Sequence, residues 1–171
     1  IRDIDRRILE HHKPIELYGF GGMGKSELAI EYCRQKATSS GVNAHFVHFD
    51  KSIRNTILGP IADAFSGYSR TTEQGAPKSE QQIYSEVMKM LGEQSEDDIL
   101  CIDNVDSETE EFADLCGKEY EDLCRLKMNI IITTRFDRKK FGGVEVGAGV
   151  DIAVNDIPHG IGKQQSRHQK H

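Results

Sequence analysis

Apolar positions along the chain fall into short runs that alternate with longer stretches of helical spacing. Ile4, Ile8 and Leu9 recur at helical intervals among charges, which predicts an amphipathic helix over residues 1–12, broken by Pro14. Ile15 to Tyr18 is β-prone and runs directly into the glycine cluster Gly19 to Gly24, after which Leu28, Ala29, Ile30 and Tyr32 carry helical character. A strand, a loop and a helix are expected in that order. Ala44 to Phe49 predicts a second strand ended by Asp50, and residues 52–65 predict a helix interrupted at Gly59-Pro60. The Ser, Thr, Gly and Pro of residues 67–79 predict a surface loop. Ile83, Val87, Met90 and Leu91 then form one stripe of a helix. Asp98 to Ile102 predicts a short buried strand, and Phe112 to Cys124 a further helix with Gly117 as its weak point. Asn129 to Thr133 is the most β-branched run and predicts a strand buried on both faces. Val144 to Val146 is a candidate last strand, and periodicity is lost from Gly147 onward.

Strands that alternate with helices and are apolar on both faces imply an α/β fold, a parallel sheet with helices on either side. The length of 171 residues suits one domain. That domain is expected over residues 1–146. Residues 147–171 are expected to be an irregular or disordered tail, a truncated continuation of a longer parent, and a start at Ile1 instead of Met adds to that expectation. With 37% hydrophobic and 29% charged residues, the composition favours a packed core over general disorder. No run approaches the ~18 apolar residues of a membrane helix. Lys and Arg number 22 against 28 Asp and Glu, and the net charge of -6 argues against direct nucleic-acid binding. The four cysteines form no C-x-x-C pair and three sit in apolar patterns, so they are expected to be reduced core thiols. Together with the lack of an export signal, this predicts a cytoplasmic location.

Residues Gly19-Phe20-Gly21-Gly22-Met23-Gly24-Lys25-Ser26 fit G-x-x-x-x-G-K-[ST]. Glycines let the backbone curl so that successive N–H groups converge on phosphate oxygens, and the following helix turns its positive end to the same anion. Lys25 is expected to reach the β- and γ-phosphates, and the Ser26 hydroxyl to take one position on Mg²⁺. A phosphate-bound Mg²⁺ needs a carboxylate from a neighbouring strand, and Asp103 at the tip of Ile99-Leu100-Cys101-Ile102 is the candidate. Asn104 stands where many ATP-hydrolysing proteins carry a second acidic residue, with Asp106 two positions on, so slow hydrolysis is expected. Thr133-Thr134-Arg135 follows the next buried strand, where an arginine can distinguish ATP from ADP by pairing with the charge that hydrolysis removes; with Arg138, Lys139 and Lys140 close behind, a solvated basic helix start is the other reading.

At these residues the chain resembles the NB-ARC branch of the STAND class of P-loop ATPases. Gly19 to Ala29, including Glu27, looks like the family's phosphate loop and its trailing Leu-Ala. Ile99 to Asp106 looks like its Walker B strand, and Ile130 to Arg135 like its sensor strand. The resemblance implies a three-layer P-loop NTPase sandwich whose parallel sheet has about five strands in the order 5-1-4-3-2. It also implies ATP/ADP and Mg²⁺ as ligands. Gly19, Gly21, Gly22, Met23, Gly24, Lys25, Ser26 and Glu27 would line the nucleotide, Ser26 and Asp103 would hold the metal, and Lys25, Asp103 and Arg135 would carry any chemistry. Ile1-Arg2-Asp3 stands where the family places a hydrophobic-Gly-Arg motif on the adenine side, with Arg2 as the candidate contact and the Gly missing. The family's Gly-x-Pro segment and winged-helix histidine are not found.

The leading expectation is therefore an ATP/ADP switch module of a signalling or defence protein, a weak ATPase whose partners are the C-terminal domains of its parent and, in the ATP state, further copies of itself. A P-loop small-molecule kinase is the first alternative, with Arg135 and Arg138 as lid arginines. A non-enzymatic interaction fragment with a vestigial nucleotide site is the second.

Overall fold

A computed structural model of the chain describes Ile4, residues 14–19, Gly22, residues 24–108 and residues 110–136. Four strands form one sheet: β1 (Ile15–Tyr18), β2 (Ala44–His48), β3 (Ile99–Asp103) and β4 (Asn129–Thr134). Their order is β1-β4-β3-β2 and every pairing is parallel. The expected fifth strand at 144–146, the helix proposed for 1–12 apart from Ile4, and the tail at 147–171 lie outside the described residues.

Helix α1 (Lys25–Ser40) follows β1 and ends at Gly41, whose φ of 67° is the left-handed turn that glycine adopts without cost. After β2, α2 (Ile53–Thr56) passes through a π-helical segment (Ile57–Ile61) into α3 (Ala62–Ala64). The interruption expected at Gly59-Pro60 is thus a widened turn: Pro60 has no N–H to donate, and the chain continues as a helix around it. Helix α4 (Glu80–Gly92) opens with Ser79 and Gln82 in a reciprocal capping box. Helix α5 (Phe112–Cys124) is kinked at Gly117, with φ 56° and ψ -165°.

The two faces of the sheet bury different sets of side chains. On one, Ile15, Leu17, Ile99, Cys101 and Ile131 pack against Ala29, Tyr32 and Cys33 of α1, joined by Ile4. On the other, Val47, Leu100, Ile102, Ile130 and Ile132 pack against Ile53, Ile57, Val87, Leu91, Phe112 and Leu123. β3 and β4 are buried throughout apart from Asn129, as their continuous apolar runs require. All four cysteines are free, and three are buried. Among the described residues no helix is long and apolar enough to cross a membrane.

Candidate functional site

Because β1, β3 and β4 run parallel, their C-terminal ends share one edge of the sheet. There β1 hands the chain to Gly19, β3 ends at Asp103, and β4 ends at Thr134 with Arg135 next. Asp103 pairs with His48 in the register, and Ile102 with Ile132, so Asp103 and Thr133 are neighbours. Both fall in phase with Cys101 and Ile131, on the face that α1 covers.

Gly19, Gly22 and Gly24 have φ of 148°, 80° and 81°. A Cβ at Gly19 or Gly22 would meet nothing within 4 Å, so conformation and not crowding calls for glycine at these positions. Gly24 is the N-cap of α1, and among the described residues no side chain caps that helix. Lys25 Nζ reaches back across the loop and donates to the Gly19 carbonyl at 2.7 Å. Lys25 is buried, and desolvation pushes its pKa below the usual lysine value. Asp106 and Asp103 pull it back up, while Arg135 lowers it further. One ammonium at the head of α1 therefore feels the charged side chains at the ends of both β3 and β4. Ser26 and Glu27 occupy the same first helical turn, half-buried and exposed respectively. Gly21, Met23 and Arg2, expected to line the nucleotide, lie outside the described residues.

The Asp103 carboxylate is buried and held from two sides. Thr133 Oγ1 donates to its Oδ1 at 2.6 Å and at the same time accepts the Asn104 N–H at 2.8 Å. His48 Nδ1 stands 3.4 Å from Oδ2, on a side chain that is 79% exposed. Asn104, after the strand, has a left-handed φ of 64° and is exposed. Arg135 is fastened to Asp106 twice: its backbone N–H donates to Oδ1 at 2.5 Å and its Nε to Oδ2 at 3.2 Å. Thr134 Oγ1 lies 3.1 Å from the same Oδ1 and 2.8 Å from the Val105 carbonyl. The Asp106 side chain is 4% exposed and that of Arg135 51% exposed. A recess of about 280 Å³ opens beside them, lined by Asp106, Ser107, Glu108, Arg135 and Phe136. A wider cleft of about 540 Å³ adjoins it, its border including Asp50, Lys51, Asn104, Asp106 and Glu110.

The expected residues Gly19, Gly22, Gly24, Lys25, Asp103 and Arg135 thus gather at one edge. Two more belong with them. Thr133 and Asp106 orient the other groups, and their signal is the strand register, which sets Thr133 beside Asp103. His48 likewise reads as a flanking strand residue until β2 is placed next to β3.

A hydroxyl at Ser26 and a carboxylate at Asp103 are hard oxygen donors, suited to Mg²⁺. Among the described residues no group of three or more His, Cys, Asp or Glu side chains could hold a metal. A divalent ion here would need phosphate and water oxygens to complete its shell. No protein-family model and no curated protein matches the chain.

Proposed function

We propose that the chain is the ATP/ADP-binding switch module of a STAND-type signalling or defence protein, built on an NB-ARC-like three-layer P-loop sandwich with a fifth strand beyond β1. The observation that carries this reading is the position of Lys25. It is buried at the head of the helix that leaves a glycine loop, within electrostatic reach of Asp103, Asp106 and Arg135. A buried ammonium at the start of a helix is suited to the β- and γ-phosphates. Ser26 and Asp103 supply the oxygen ligands for Mg²⁺, and Arg135, half exposed, answers the γ-phosphate. Mg²⁺ when bound would neutralise phosphate charge and bridge phosphate oxygens.

Slow hydrolysis follows from Asn104, an amide in the place of a second carboxylate, which cannot take a proton from water. A slow ATPase retains its nucleotide long enough to signal with it. The C-terminal domains of a longer parent would read that state, and the ATP form would assemble with copies of itself in the cytoplasm.

Denaturing the purified chain and identifying any released small molecule by mass spectrometry tests the reading. Release of ADP or ATP is the expected result. Release of a guanine nucleotide would overturn it, and an empty site would favour a vestigial interaction fragment.

A further inference from the structure

Asp106 is a buried carboxylate whose two oxygens both meet the half-exposed Arg135, Oδ1 also taking the Thr134 hydroxyl at 3.1 Å. The contacts are of two kinds. Oδ1 holds the Arg135 backbone N–H, and so fixes where the chain leaves β4; Oδ2 holds Nε, and so fixes the rotation of the guanidinium. A guanidinium presents two donor edges, and with Nε taken by a carboxylate the two Nη atoms form the edge that an anion can approach. A recess of about 280 Å³ lies against Arg135, with Asp106, Ser107, Glu108 and Phe136 as its other walls.

We propose that Asp106 is the positioning residue that sets the preference for ATP over ADP, by holding Arg135 ready for the γ-phosphate before nucleotide arrives. This rests on the switch reading above. An arginine on an exposed loop loses rotamer freedom when it pairs with phosphate; one already fastened at its backbone and at Nε loses less, so more of the contact appears as affinity. ADP lacks the group that Arg135 meets and gains nothing from the arrangement.

Charge alone predicts the opposite sign. Asp106 is an anion close enough to Lys25 to raise its pKa. Removing it would strengthen binding of both nucleotides by relieving repulsion, and of the more highly charged ATP most. A loss of ATP-analogue affinity on neutralising Asp106 that disappears in the Arg135→Ala background is therefore the mark of a carboxylate acting through Arg135.

The test measures the affinity of the whole chain for ADP and for a non-hydrolysable ATP analogue, each with Mg²⁺, in the native chain, Asp106→Ala, Asp106→Asn, Arg135→Ala and the double variant Asp106→Ala/Arg135→Ala. For Asp106→Ala the expected result is a fall on the order of tenfold for the ATP analogue, with ADP changed by less than about twofold. The double variant should bind the analogue no more weakly than Arg135→Ala does. Asp106→Asn keeps the shape but turns an amide donor toward either Nε or the backbone N–H, so it should also lose selectivity; it decides the matter if the alanine variant does not fold. Equal losses for both nucleotides, a gain for the ATP analogue, or additive losses in the double variant would overturn the proposal and leave the switch reading standing. A native chain that binds neither nucleotide would overturn both.

Discussion

The Thr133 hydroxyl sits between the Asn104 backbone and the Asp103 carboxylate, accepting from the first and donating to the second. Thr133→Val keeps the shape and removes both bonds, leaving a buried carboxylate oxygen and an amide short of partners at a cost of about 1–3 kcal/mol in unfolding free energy. In the switch reading the same substitution loosens a metal ligand, so ADP affinity should fall in Mg²⁺ and hold in EDTA, as it should for Asp103→Ala. Equal losses with and without metal would contradict the metal role. In the same reading Arg135→Ala should weaken a non-hydrolysable ATP analogue by about 1.5–3 kcal/mol and leave ADP nearly unchanged, since only the triphosphate would carry the group that pairs with the guanidinium. Asp103 is legible in the sequence because a five-residue strand ends on it. The pairings of Thr133 with Asp103 and of Asp106 with Arg135 are not, because the partners lie 30 and 29 positions apart and meet only once β3 and β4 are in register.

Among the elements, α4 separates local from tertiary control most clearly. Of its stripe, Ile83, Val87 and Leu91 are buried and Met90 is half-buried, and its start is set by the Ser79–Gln82 box. Ser79→Ala should lower stability by about 1 kcal/mol, read as a shifted urea midpoint, with ADP affinity unchanged. The latter follows because α4 packs on the sheet face opposite α1. The α2–α3 stretch shows where sequence reading stops. Gly59-Pro60 marks a break in helical pattern, but whether such a break becomes a kink, an end or a wider turn depends on how Ile57 and Ile61 seat in the core, where both are buried. Gly117, at a φ of 56°, kinks α5, and Phe112, Cys116, Tyr120 and Leu123 on either side of the kink lie in one core. The Tyr120 hydroxyl reaches Glu16 of β1 at 3.0 Å, a tie between α5 and β1 that no periodicity announces.

For the whole molecule, the α/β class and the four strands follow from β-branched runs alternating with helical stretches, because a parallel sheet has to be apolar on both faces. Strand order is a different matter. Periodicity says nothing of which strand neighbours which, and it is the β1-β4-β3-β2 arrangement that brings the ends of β1 and β3 to either side of β4. That placement joins the glycine loop, Asp103 and Arg135 at one edge, and Lys25 is where their charges meet. Calorimetric titration of ADP with Mg²⁺ into the native chain and into Lys25→Ala tests the nucleotide site most directly, with thermal melts to establish that both are folded. The expected result is saturable single-site binding by the native chain, weakened on the order of a hundredfold or more in the variant, because the phosphates would then face only neutral amides and a helix end. No binding by the native chain, or the same affinity in both, would contradict it.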